Sequence, residues 1–122
     1  RDPDHVVTYP TRTDQALLYR LSGDHNPLHS DPAFAQRAGF PRPILHGLCT
    51  YGFTGRALLH TVCGGDPAQF RSMSGRFSSP VFPGEALTVR VWVDGEGRAA
   101  FQTVGPDGRV VLDAGEVTYG AA

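Results

Sequence analysis

The chain has 122 residues, with 11 basic and 12 acidic side chains, a net charge of −1 and a hydrophobic fraction of 40%. This length fits a single domain, and the composition is that of a folded protein, which excludes a disordered chain. All basic residues are arginines scattered along the sequence, so we expect no nucleic-acid partner. No apolar run reaches the roughly 18 residues of a membrane span, so we expect no membrane partner.

In chain order, residues 1–12 form an extended lead-in with a predicted strand at 6–9. Thr13 is a suitable N-cap for a short helix over 14–21, where leucines share one face. The next segment, 23–30, is polar and interrupted by proline, which predicts a loop.

Two further helices follow. Asp31 and Pro32 combine an N-cap with proline at the first helical position, and this predicts a helix that ends at Gly39. Residues 46–62 form the longest helical pattern, and several glycines interrupt it. Because each interior glycine costs about 0.5–1 kcal/mol relative to alanine, we expect this helix to be buried, with other groups passing close to its backbone.

Beyond residue 64 the hydrophobic period changes from that of a helix to that of a strand. Predicted strands lie within 70–82 and over 87–94, 98–104 and 109–119, with glycine-rich turns between the last three. We expect a four-strand antiparallel meander that curls around the long helix. The fold class is therefore α+β.

The densest group of reactive side chains lies in the polar loop, where Asp24, Asn26 and His29 fall within six residues. Because Pro27 bends this segment, the carboxylate and the imidazole could point into one cavity and hold a water molecule. Such a pair can take a proton from water and return one elsewhere. The same residue types are also common in turns and caps, and composition alone leaves both interpretations open.

His46 and Gly47 open the long helix and form a second candidate site. The first N–H groups of a helix lack intrahelical partners and carry partial positive charge. A glycine there allows a carbonyl oxygen to approach, so the Gly47 N–H is a candidate oxyanion donor. The alternative is a glycine that is needed only for helix packing or capping.

Metal and covalent chemistry are less well supported. Asp24, His25, His29 and His46 lack the spacing of known metal-binding motifs, so we predict no metal. Cys49 and Cys63 lie in no CxxC motif, and on one helix they would be about 21 Å apart along its axis, too far for a disulfide. This favours free thiols and a cytoplasmic location. No nucleophile elbow or phosphate-binding glycine loop occurs, and we therefore expect no covalent catalysis.

Four sequence stretches together form a specific pattern: YRLSGDHNPLH at 19–29, DPAFA at 31–35, GFPRPILHGLCTYG at 39–52 and RFSSPVFPGE at 76–85. This pattern resembles the MaoC-like (R)-specific enoyl-CoA hydratases. The likeness is greatest to the catalytic half of the hydratase 2 domain of peroxisomal multifunctional enzyme type 2. The resemblance covers nearly the whole chain, and it implies a single hot-dog domain over 1–122.

The resemblance implies an enzyme, a hydro-lyase that reversibly hydrates trans-2-enoyl-CoA to (3R)-3-hydroxyacyl-CoA. Asp24 and His29 would hold the attacking water, with Asp24 as the main base, and Asn26 would support the pair. The Gly47 N–H would bind the thioester oxygen. No cofactor is expected, because CoA is part of the substrate.

Substrate-binding residues are assigned from helix geometry and charge. Tyr51, Gly55 and Leu58 share a helix face with the first turn, and we predict that the acyl chain runs along them, although such a stripe is often core. The CoA phosphates need cations near the mouth of the cleft, for which Arg42 and Arg76 are candidates.

The lead-in over 1–12 resembles the start of the second repeat of a double hot dog, and the chain lacks an initiator methionine. We expect pairing with an N-terminal hot-dog repeat or with a second copy as a homodimer, because a single hot dog leaves sheet edges uncovered. Two other functions stay open: dehydration of 3-hydroxyacyl groups on acyl carrier protein, and non-catalytic acyl-CoA binding by one half of a double hot dog.

Overall fold

A computed structural model describes residues 1–16, 23 and 25–120 of the chain. Its helices and strands have bounds close to those predicted. They are, in chain order, β1 (His5–Tyr9), α1 (Pro32–Arg37), α2 (Gly47–Thr61), β2 (Phe70–Phe77), β3 (Leu87–Val93), β4 (Arg98–Val104) and β5 (Val110–Tyr119). The helix predicted over 14–21 lies mostly outside the described residues.

The described strands form one antiparallel sheet in the order β1-β3-β4-β5-β2. Strands β3, β4 and β5 form the expected meander, but β2 pairs with β5 and so lies at the far edge of the sheet. The predicted four-strand meander is wrong in this respect. The free side of β3 is occupied by β1, whose residues pair with 87–91. Alternation identifies a strand, but it carries no information about the strand's neighbour.

Helix α2 lies across the sheet and contacts β1, β2, β3 and β5. Its Leu58 side chain is fully buried among Val89, Val91, Phe101 and Leu112. Full burial of such a side chain contributes about 1.5–3 kcal/mol to folding. The packing confirms an α+β fold in which the sheet surrounds a long helix.

The glycines of α2 have different surroundings. A Cβ on Gly47 would lie 3.1 Å from the Phe77 ring, and one on Gly55 would lie 3.4 Å from the Met73 sulfur. Gly52 is exposed, and a Cβ added there would meet no atom within 4 Å. Close approach therefore accounts for Gly47 and Gly55, whereas the expectation of burial is wrong for Gly52. None of the helices in the described part of the chain is long and apolar enough to cross a membrane.

Candidate active site

The loop that precedes α1 is held by side chains that cap short helical turns. The Asn26 side-chain oxygen accepts a hydrogen bond from the Leu28 N–H at 3.0 Å and caps a single helical turn over Pro27–His29. Asp31 caps α1 in the same way, by accepting from the backbone N–H groups of residues 33 and 34. The predicted N-cap at Asp31 is confirmed. The capped turn carries His29 at its end.

His29 has a defined tautomer. Its Nδ1 lies 2.8 Å from the backbone oxygen of Ile44. A carbonyl oxygen only accepts hydrogen bonds, so Nδ1 carries the proton and donates it. With the proton on Nδ1, Nε2 carries the ring's lone pair and is the atom that could take a proton from water or a substrate.

Gly47 is the first residue of α2. As such, its N–H has no carbonyl partner within the helix, and it lies at the positive end of the helix dipole. The Phe77 ring packs against its Cα, as close as 3.1 Å to where a Cβ would lie. A larger residue at position 47 would push this ring away.

His29 and Gly47 line the same cavity, which has a volume of about 310 Å³. This volume is at the lower end of the range for small-molecule sites. The walls are mainly apolar, and a few hydroxyl groups lie among them. The other lining residues are Phe40, Ile44, Leu45, Thr50, Phe77, Ser78, Ser79, Pro80, Val81 and Val111.

One wall of the cavity, the segment 78–81, is held by an ion pair. The Arg109 guanidinium donates to Glu85 Oε1 at 3.0 Å and to the Pro80 carbonyl at 3.1 Å. The same carboxylate oxygen accepts from the Phe82 N–H at 2.8 Å. Both charged side chains are largely shielded from solvent. The pair therefore fixes the backbone that encloses the cavity.

The structure brings together two of the four predicted catalytic residues, His29 and Gly47, in one cavity. Asn26 lies on the turn that carries His29, and its side-chain oxygen is engaged with the Leu28 N–H. Asp24 lies outside the described residues. The roles assigned to all four stay predictions.

The predicted acyl-binding residues lie deeper along α2. The Tyr51 hydroxyl donates to the Met73 carbonyl at 2.7 Å, which ties the helix to β2. Gly55 faces the Met73 side chain, and Leu58 belongs to the fully buried core. These three residues are not among the described residues that line the cavity with His29 and Gly47.

The two candidate phosphate-binding arginines differ in position. Arg42 donates to the Pro83 carbonyl at 3.1 Å, stacks over the Phe82 ring, and borders a second cavity of about 170 Å³ that His29 also lines. Arg76 is exposed on β2 opposite Asp113, whose pKa is lowered chiefly by a backbone hydrogen bond from Ala114 and to a smaller extent by this arginine.

Several residues that line the cavity could not be identified from the sequence, most clearly Phe40, Thr50 and Phe77. Phe77 is half exposed, so burial could not have identified it. Phe77 lies in the RFSSPVFPGE stretch, directly after the candidate Arg76. Phe40 belongs to the GFPRPILHG stretch in the same way.

The two cysteines take no part in the proposed acid-base chemistry. Both Cys49 and Cys63 are buried and free, as predicted. Burial raises the pKa of the Cys49 thiol to about 11. It also raises the pKa of Cys63, to which the charge of Asp66 contributes. Both thiols are therefore protonated and unreactive at neutral pH.

The MaoC-like domain family matches residues 1–114 of the chain. The chain belongs to this family. It is 59% identical to 3-hydroxyacyl-thioester dehydratase Y of Mycobacterium tuberculosis, over 98% of this chain and 43% of that protein. It is 57% identical to the peroxisomal enoyl-CoA hydratase 2 of Arabidopsis thaliana, over 84% of this chain and 33% of that protein.

A solved structure shows the same fold. Full-length peroxisomal multifunctional enzyme type 2 from Drosophila melanogaster superimposes with a TM-score of 0.94 at 50% identity, over 98% of this chain and 23% of that one. The resemblance seen in the sequence motifs is thus confirmed, and so is the hot-dog fold. The chain spans less than half the length of each of these relatives.

Proposed function

We propose that this MaoC-like domain catalyses the reversible hydration of trans-2-enoyl-CoA to (3R)-3-hydroxyacyl-CoA. The observation that carries the proposal is the position of His29 and Gly47 on the walls of one mainly apolar cavity. An acid-base group and an oxyanion donor are the two elements that addition of water to a conjugated thioester requires. The names of the enoyl-CoA hydratase and thioester dehydratase relatives support the same chemistry.

In the proposed reaction, Asp24 and the Nε2 atom of His29 hold a water molecule beside the C2=C3 double bond. The water oxygen bonds to C3 while one of its protons passes to this pair. The π electrons move toward the thioester, and the Gly47 N–H stabilises the negative charge on its oxygen. A proton then returns to C2. Overall, one water molecule adds across the C2=C3 double bond, and the same steps in reverse are a dehydration.

We assign the acyl group to the apolar part of the cavity, and Tyr51, Gly55 and Leu58 are candidates for contact with a longer chain. Arg42 is the better of the two phosphate candidates, because it borders a cavity that His29 also lines. Arg76 remains a candidate on charge alone.

We also propose that the domain pairs with a second hot dog, either an N-terminal repeat or another copy. Leu48 on the outer face of α2 is 68% exposed and borders a groove with Cys49, Gly52, Phe53 and Arg56. The edges of the described sheet, β1 and β2, are open to further pairing. We expect Leu48→Glu to weaken pairing without unfolding the chain, as measured by light scattering coupled to size-exclusion chromatography.

The test of function is the loss of conjugated-thioester absorbance when the chain is mixed with crotonyl-CoA. We expect hydration with a 3R product. In Asp24→Asn, which keeps the shape of the side chain but removes the base, we expect turnover to fall about 10²–10⁴-fold. The matched control is Asp31→Asn, which makes the same change of carboxylate to amide at a residue that only caps α1. This cap should be kept, because Asn26 shows that an amide oxygen can cap a turn in this loop.

Three outcomes would contradict the proposal. Unchanged turnover in Asp24→Asn would remove Asp24 from the mechanism. Release of free CoA thiol would indicate a thioesterase. Absence of turnover both in the chain alone and with an N-terminal hot-dog repeat added in trans would indicate a non-catalytic half.

A further inference from the structure

The residue that precedes α2 differs from those that precede three shorter helical segments of the described chain. Asn26, Asp31 and Asp66 each precede a helical turn and accept a backbone N–H with the side-chain oxygen. His46 occupies the same position before α2, and its side chain does not cap the helix. A side-chain cap typically stabilises a helix by about 0.5–2 kcal/mol. The longest helix in the described chain thus begins without one.

The His46 ring instead lies against His29. The two imidazole centroids are 3.8 Å apart, with an angle of 23° between the ring planes. His46 is 2% exposed, so it is held firmly by the surrounding protein. One face of the His29 ring is therefore covered by a buried planar group.

This stack supplies a constraint that the hydrogen bond to Ile44 cannot supply alone. The bond from Nδ1 holds one ring atom beside the Ile44 carbonyl, but compensating changes of the two side-chain torsions can still tilt the His29 ring while that bond is kept. The second side-chain torsion of histidine has a broad energy minimum, so it does not fix the ring plane by itself. The His46 ring, whose centroid lies 3.8 Å away with its plane at 23° to that of His29, limits this tilt. Together the two contacts determine where Nε2 points.

His46 also connects the two halves of the site. Its carbonyl accepts from the N–H groups of Cys49 and Thr50 at 3.0 and 3.2 Å and so starts α2. Gly47, the candidate oxyanion donor, is the next residue. The ring that orients the acid-base group and the backbone that presents the N–H are thus parts of one rigid unit.

We propose that His46 is a positioning residue that sets the plane of the His29 imidazole by stacking. This inference rests on the proposed function for its kinetic test, but its structural test is independent of activity. The critical comparison is His46→Phe, which keeps a planar ring, with His46→Leu, which has a similar volume but no ring.

We expect His46→Leu to lower kcat for crotonyl-CoA about 10–100-fold, since small misplacements of catalytic groups have effects of this size. KM should change much less than kcat. We expect His46→Phe to restore most of kcat. Equal losses in the two variants, or an undiminished kcat in His46→Leu, would overturn the proposal.

Nitrogen-15 NMR of the His29 ring provides the second measurement. The wild type and His46→Phe should show the single tautomer with the proton on Nδ1. In His46→Leu the ring can tilt away from the Ile44 carbonyl, which weakens the bond that fixes the tautomer, so a mixture of both tautomers should appear. An unchanged His29 spectrum in His46→Leu would overturn the proposal, even if the wild type hydrated no enoyl-CoA. Circular dichroism of all three proteins checks that each is folded.

Discussion

The segment that carries the site and the sheet that supports it are stabilised in different ways. Over 25–46 the backbone is fixed by individual side-chain contacts, such as the Asn26 cap and the bond from His29 to Ile44. Over 87–119 the backbone follows an antiparallel ladder, whose register shifts only between β4 and β5, with fully buried residues such as Val89 and Val91 on one face. Substitutions in the first region should change turnover more than stability, and those in the second should do the reverse.

The largest expected effect is at Gly47. Proline is tolerated at the first position of a helix, and the extended backbone of His46 (φ −61°, ψ 134°) is compatible with a following proline. Gly47→Pro and Gly47→Ala both add a Cβ next to Phe77, but only proline removes the N–H. We expect Gly47→Pro to be about 10²–10³-fold slower than Gly47→Ala in crotonyl-CoA hydration.

Thermal unfolding of the two Gly47 variants is the control, and their midpoints should be similar. Equal turnover in the two proteins would show that this N–H does not stabilise the transition state.

Gly115 in β5 provides the corresponding test in the sheet. It follows Ala114, which has a positive φ of 51°, and a Cβ on Gly115 would lie 2.6 Å from the Phe101 carbonyl oxygen. Such crowding typically costs about 1–3 kcal/mol. We expect Gly115→Ala to lower the free energy of unfolding by about this amount in urea titrations, with kcat per folded molecule unchanged. Ala100→Ser on the exposed side of β4 is the control, and a similar loss there would exclude crowding as the cause.

Thr54 and Thr103 join the long helix to the sheet, since their hydroxyls form a fully buried hydrogen bond of 2.7 Å between α2 and β4. Thr54→Val leaves the Thr103 hydroxyl without this partner and should cost about 1–3 kcal/mol of stability. The double variant Thr54→Val/Thr103→Val leaves neither hydroxyl buried, so its loss should be smaller than the sum of the single losses. Strictly additive losses would show that the bond contributes little.

Asn26 tests whether the site segment depends on its caps. Asn26→Ser keeps a side-chain acceptor for the Leu28 N–H, whereas Asn26→Ala removes it, and removing a cap costs about 0.5–2 kcal/mol. If Asn26 acts by holding the turn that carries His29, kcat should be lower in the alanine variant than in the serine variant. Equal kcat values would instead point to direct action by the Asn26 amide group.

The smallest effect is expected at the cysteines. With a pKa of about 11, Cys49 has very little thiolate at pH 7. Iodoacetamide should therefore leave turnover unchanged at this pH, and labelling of Cys49 should rise as the pH approaches 11. The same reagent on urea-unfolded protein is the control, where both thiols should react. Rapid inactivation at pH 7 would contradict the burial of Cys49.

Much of the local structure could be predicted from the sequence. The glycine-rich turns on either side indicated the bounds of β4 at residues 98–104, and Asp31-Pro32 marked the start of α1, because both depend on interactions between residues close in the chain. The chemistry of the polar loop and of the helix start indicated His29 and Gly47 as candidates, and the motif resemblance assigned their roles. Even so, neither composition nor periodicity could show that Phe77 and Phe40 close the same cavity, since those contacts join segments far apart in sequence.

Short-range periodicity and motifs were sufficient for most of the helices and strands, the α+β class, the family and the chemical types of the candidate site residues, because neighbours in the chain carry that information. Three features could be seen only in the tertiary structure: β2 lies beside β5, Gly52 faces solvent while Gly47 contacts Phe77, and His46 stacks on His29. Each of them depends on packing between separate segments, so the surroundings of one residue are set by others that its local sequence does not specify.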